Sequence, residues 1–105
     1  MKNILHLVLK KKWFDMIASG EKTVEYRKFS QYWIDRISGK KVVVFHLGYT
    51  RKIIIFELKN VIVHLKNFHQ ETHEDLRKPE WGFTEEDMFL LVLGKRLPAM
   101  EAVLL

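Results

Sequence analysis

The 105 residues contain no cysteine, which excludes a disulfide framework, a thiolate nucleophile and any zinc site built on sulfur. Proline occurs twice and glycine five times, and no stretch has the glycine density of a nucleotide-binding loop. No repeat, low-complexity segment or Ser-His-Asp arrangement is present. No apolar run approaches the roughly 18 residues of a membrane-spanning helix, and the opening residues, with Asn3 and His6 among them, do not read as a signal peptide. A cytoplasmic protein without membrane association is the expectation, with a monomer as the default state.

What is there is the composition of a folded protein: 48% hydrophobic and 30% charged residues, enough for one domain over 1–105 with a single modest core. The net charge of +5 is unevenly spread: through Lys66 there are 14 Lys/Arg against 5 Asp/Glu, and from Asn67 onward 4 against 8. A body near +9 followed by a segment near −4 suggests an electropositive surface able to approach phosphates.

The chemistry concentrates in Ser19-Gly20-Glu21-Lys22-Thr23-Val24-Glu25-Tyr26-Arg27. Before it, Trp13, Met16 and Ile17 have the i, i+3, i+4 spacing of a short amphipathic helix, and Gly20 stands where a helix-terminating glycine belongs. After it, Thr23 to Arg27 alternate as a strand, with Thr23, Glu25 and Arg27 on one face and Val24 and Tyr26 on the other. A carboxylate and a guanidinium two residues apart can hold each other and leave donors for a ligand. Lys22 falls on the opposite face of a regular strand, so it can join Glu25 only from a turn or bulge. The alternative is a solvated strand face with an incidental ion pair.

Around this stretch, Ile4 to Leu9 reads as a strand apolar enough to be covered on both faces, with His6 a hydrogen-bonded core or rim residue. Lys10-Lys11-Lys12 opens the helix and places at least one lysine, Lys12 in our assignment, beside the site. Ser30 is a candidate N-cap for a short helix ending at Gly39. On it, Tyr32 and Trp33 either stack a base or plug one end of the core, and Tyr32, with its hydroxyl, is the better ligand candidate. Lys41 to Leu47 and Ile53 to Phe56 form a hairpin. Val61 to Leu65 either extends the second strand past a kink near Lys59-Asn60 or forms another. Residues 67–86 are polar and acidic, a long loop of the kind that serves as a lid, in which Trp81 either pins the loop or walls a pocket. His69 and His73 stand four apart, a weak metal signal that we do not adopt. Met88 to Gly94 is a central strand, after which Lys95 to Pro98 leaves the sheet. His46 and His64 lie on aliphatic strands and read as structural unless one meets Glu25.

Gly20-Glu21-Lys22-Thr23-Val24-Glu25-Tyr26-Arg27 matches the G-x-K-x-x-E-x-R signature of ASCH domains, and the order of elements around it resembles that family over nearly the whole chain. The resemblance implies an α+β fold, a small PUA-like mixed β-barrel with one or two short helices. It implies binding of RNA or a modified nucleobase or nucleotide in a cleft lined by Lys22, Glu25 and Arg27, with Thr23, Tyr32 and Lys12 as further ligand candidates and no metal or cofactor. It also implies an alternative. Some relatives of this fold are amidohydrolases acting on N-acetylated cytidine, with a lysine at the place of Lys22, a threonine at the place of Glu25 and a distant glutamate; others are associated with ribonuclease activity. Here Glu25 replaces the threonine, so a hydrolase would use Lys22 and Glu25 as its catalytic pair, with Glu57, Glu71 and Glu74 the only guesses for the distant carboxylate. An interaction domain without turnover remains a third class.

Overall fold

A computed structural model describes residues 3–68 and 73–98. In chain order the elements are β1 (Ile4–Leu9), α1 (Lys11–Ala18), β2 (Val24–Lys28), α2 (Gln31–Ile37), β3 (Val42–Leu47), β4 (Ile53–His64), two 3₁₀ turns at Glu74–Leu76 and Pro79–Trp81, and β5 (Met88–Leu97). The strands form one mixed sheet in the order β1-β3-β4-β5-β2, curled into a half-barrel. Only the β1–β3 pair is parallel among the described strands.

The helices form where the sequence supplies both a face and a stop. In α1, Phe14 and Ile17 are fully buried, and each contributes on the order of 1.5–3 kcal/mol by leaving water. Gly20 adopts φ +86°, a left-handed conformation that ends the helix at little cost only for glycine. In α2, the Ser30 hydroxyl accepts the Trp33 N–H at 3.4 Å as an N-cap.

Both helices pack on one face of the sheet. Phe14, Ile17 and Ile37 meet Leu5, Leu7, Val43, Phe45, Phe89, Leu91 and Leu93 there in the main core. The other face carries two smaller clusters: Ile4, Val42, Val44, Ile55 and Leu97 at one end, and Val24, Tyr26, Phe83 and Leu90 at the other, where the 3₁₀ segment covers the sheet. β4 is a single 12-residue strand. Register shifts between Phe56 and Asn60 bend it, so that its first half pairs with β3 and its length with β5.

Two expectations are corrected. β1 is an edge strand with one open face: its burial alternates and Val8 is 51% exposed. The apolar run Ile4 to Leu9 reflects one buried face and a partly covered other, as a parallel edge strand permits. Lys95 to Leu97 also stays in the sheet, with Arg96 paired to Phe56 and Leu97 to Ile55. Charged side chains at 95 and 96 project to solvent while the backbone ladder continues. Among the described residues no helix is long and apolar enough to cross a membrane.

Candidate functional site

After α1 the chain doubles back. Gly20 N–H donates to Ile17 O at 3.1 Å and Lys22 N–H to Met16 O at 3.0 Å, so Lys22 is fixed by main-chain bonds beneath the helix end before β2 begins. Thr23 O then accepts Leu93 N–H at 3.0 Å, and from Val24 onward the strand runs antiparallel to β5. Because β2 is an edge, a side chain from this turn can reach around the rim of the sheet. Lys22 does so, and the face rule for regular strands is circumvented as the turn geometry requires.

Three charged side chains meet there. Lys22 Nζ lies 2.8 Å from Glu25 Oε1, and Arg27 Nη2 and Nε lie 2.7 and 3.1 Å from Glu25 Oε2. Lys22 also donates to the carbonyl of Trp81 at 2.6 Å. Its ammonium stands 4.4 Å from the centre of a Trp13 ring and 5.5 Å from that of Tyr26, within range of a cation–π attraction. The side chains of Lys22 and Glu25 are only 2% and 7% exposed, and that of Arg27 is 20% exposed. Arg27 rests over the Trp33 ring at 5.0 Å.

The electrostatics follow from this packing. Burial pulls the Lys22 ammonium below the ordinary lysine range, and the nearby Arg27 adds to that, while Glu25 opposes it. Burial holds the Tyr26 phenol above its ordinary value. That hydroxyl donates to Leu76 O at 2.5 Å and accepts Lys78 N–H at 3.1 Å, which docks the 3₁₀ segment onto β2.

Lys22 and Glu25 line a cavity of about 130 Å³ together with Trp13, Tyr26, Trp81, Gly82 and Met88, and Arg27 stands behind Glu25 outside that lining. Gly82, at φ +101°, lies against the Trp13 ring: a Cβ there would stand 3.4 Å from it. Among the described residues, concavities of about 430 Å³ between Ile53 and Leu97, between Lys28 and Asp87 and between Phe29 and Phe89 are roomier and contain none of the triad.

Of the residues singled out from sequence, Lys22, Glu25 and Arg27 are brought together. Thr23 is exposed and precedes the strand. Tyr32 is 54% exposed, capped by Arg36 at 3.4 Å and set against Trp33 at 5.0 Å, one ring removed from Arg27. Lys12 sits over Trp13 at 4.7 Å, sharing that indole with Lys22. Neither Tyr32 nor Lys12 lines the cavity. His46 pairs with His6 at 2.9 Å, and His64 is buried against Phe83 with Nε2 3.5 Å from Glu85 Oε2. Of the two histidines four apart, His69 and His73, His69 lies outside the described residues, as does Glu71. Trp13 and the Trp81 carbonyl were the less visible members: a helical-face tryptophan and a backbone oxygen carry no motif.

No protein-family model matches the sequence, and no curated protein matches it. Among solved structures, the crystal structure of a ZmASCH mutant protein from Zymomonas mobilis is similar, with a TM-score of 0.59 and 16% sequence identity, covering 92% of this chain and 71% of that one. At that identity the likeness speaks for the backbone alone. The chain therefore shares the fold of that ASCH protein.

Proposed function

We propose that this domain is a binding module for RNA or a modified nucleobase or nucleotide, and that Lys22, Glu25 and Arg27 form the polar wall of its cleft. The observation that carries the reading is a buried carboxylate held on both oxygens by cations, next to a cavity bounded by two indoles. A nucleobase offers a flat π surface, carbonyl acceptors and amino donors. Trp13 and Trp81 suit the first, and the guanidinium donors of Arg27 not engaged by Glu25, beside the cavity and not in its lining, suit the second. Tyr32 and Lys12, one ring away on either side, would meet neighbouring bases or phosphates.

The pairing of Glu25 favours binding over turnover. To act as a base toward water, Glu25 would have to give up a contact at 2.7–2.8 Å with Arg27 or Lys22. A hydrolase using Lys22 and Glu25 is supported by one opposing observation, the burial that lowers the lysine and so favours its neutral, nucleophilic form.

The two separate on turnover. The protein and its Lys22→Ala variant are incubated with N-acylated nucleosides and short single-stranded RNAs and analysed by mass spectrometry. The binding reading expects every substrate unchanged, together with saturable RNA or nucleoside affinity that falls as salt rises and is weakened in Lys22→Ala and Arg27→Ala. Multiple turnovers lost in Lys22→Ala would overturn it in favour of the hydrolase. A folded protein with neither turnover nor affinity would leave a plain interaction domain.

A further inference from the structure

Far from the cleft, at the open edge of the sheet, His6 and His46 face each other. They sit at diagonal positions on the parallel strands β1 and β3, His6 opposite Val44 and His46 opposite Val8. His6 Nδ1 and His46 Nε2 are 2.9 Å apart, the ring centres 5.1 Å apart and the planes tilted by 38°. The rest of this face is aliphatic: Val8 and Ile53 flank His46 in register, and Val44 flanks His6. Two hydrogen-bonded imidazoles thus stand side by side on an otherwise aliphatic strand face.

We infer that His6 and His46 form a two-imidazole site for a divalent transition-metal ion, Cu(II) foremost. Imidazole nitrogens suit Cu(II), Ni(II) and Zn(II), and Cu(II) binds most tightly of these at a nitrogen site. The 2.9 Å between Nδ1 and Nε2 is an N–H···N hydrogen bond. Two imidazole nitrogens bound at about 2.0–2.1 Å to one ion stand about 2.9–3.4 Å apart, so an ion can replace the shared proton without the strands moving apart. Both strands are held by backbone pairing before any ion arrives, so little ordering accompanies binding. No net proton need leave: the ring whose N–H lies between the two nitrogens shifts it to its outer nitrogen. Among the described residues no group of three or more His, Asp or Glu gathers around an ion, so water completes the coordination. Bound there, the ion cross-links β1 to β3, its neighbour among the described strands.

The test titrates CuCl2 into protein carrying His69→Ala and His73→Ala, which removes the other closely spaced histidine pair in the sequence, and reads binding by electron paramagnetic resonance and by calorimetry. One Cu(II) per chain is expected, with superhyperfine coupling to two imidazole nitrogens, and affinity at least tenfold weaker in both His6→Ala and His46→Ala. Cu(II) outcompetes Zn(II) at most nitrogen sites, so that preference alone does not count; the two-nitrogen signal and its loss in either variant do. Affinity unchanged by His6→Ala, or coupling to a single nitrogen, would overturn the site. His6 lies on an exposed edge, so His6→Ala carries the test should His46→Ala fail to fold.

Discussion

Replacing Glu25 by leucine isolates what the triad contributes to the fold. The substitution removes the only carboxylate between two cations, and their responses differ. Arg27, 20% exposed, can turn outward; Lys22, 2% exposed and enclosed by Trp13, Tyr26 and the Trp81 carbonyl, has no such route. Stranding a buried charge costs about 3–5 kcal/mol, a large part of the roughly 5–15 kcal/mol that holds a domain together. At about 4–8 °C per kcal/mol for a domain near this size, Glu25→Leu should melt at least ~12 °C below the parent. Lys22→Met leaves Glu25 with Arg27 and orphans only the Trp81 carbonyl, a loss of about 1–3 kcal/mol. The double variant should therefore recover part of the Glu25→Leu loss, a non-additivity that urea denaturation of the four proteins measures as a coupling energy. A Glu25→Leu protein within about 1 kcal/mol of the parent, or a double variant equal to the sum of the singles, would refute the picture of a buried, mutually dependent pair.

Tyr26→Phe deletes the donor to Leu76 O and the acceptor of Lys78 N–H; we expect a loss of about 1–3 kcal/mol and faster hydrogen exchange at residues 76–83, read by mass spectrometry. Gly94→Ala places a Cβ 3.2 Å from that of Glu57 and 3.3 Å from that of Lys59, and the overpacking should cost about 1–3 kcal/mol in urea. Stability should also fall on acidification. His6 has a folded value below its ordinary 6.5, so between the two the unfolded chain binds more protons than the native one and stability rises with pH. The loss therefore begins as pH drops through 6.5 and is complete below the lowered value, and His6→Gln should flatten that part of the profile.

Much of the site was legible because it is local. Gly20, Lys22, Glu25 and Arg27 lie within eight residues, and a helix stop followed by an edge strand forces Lys22 around the rim toward Glu25. The cap at Ser30 and the hairpin after Leu47 were legible for the same reason, each being fixed by a turn residue or by short-range pairing, whereas the sequence left open whether β4 runs on past its kink or breaks into two strands. What escaped depends on partners distant in sequence. An apolar run such as Ile4 to Leu9 does not reveal whether its second face will be covered, and β1 leaves Val8 in solvent. Charges at Lys95 and Arg96 suggest an exit from the sheet, yet the ladder continues because the first half of β4 offers it a partner. The His6–His46 contact joins residues 40 apart and emerges only once the parallel register is known.

The tether between Lys22 and the covering segment ends on the Trp81 carbonyl, a group every amino acid possesses. Exchanging the side chain at 81 would change the wall of the cavity without deleting the acceptor that anchors it. The Tyr26 hydroxyl likewise grips Leu76 and Lys78 through main-chain groups. The clasp is thus encoded on β2 and the turn before it and not on the segment it holds. So long as Pro79 and Gly82 keep the turn in shape and Leu76 and Phe83 keep their places in the core, the other residues of 74–83 can be rewritten while the frame that presents them stays the same, and a library randomised at 80 and 81 should retain folded members.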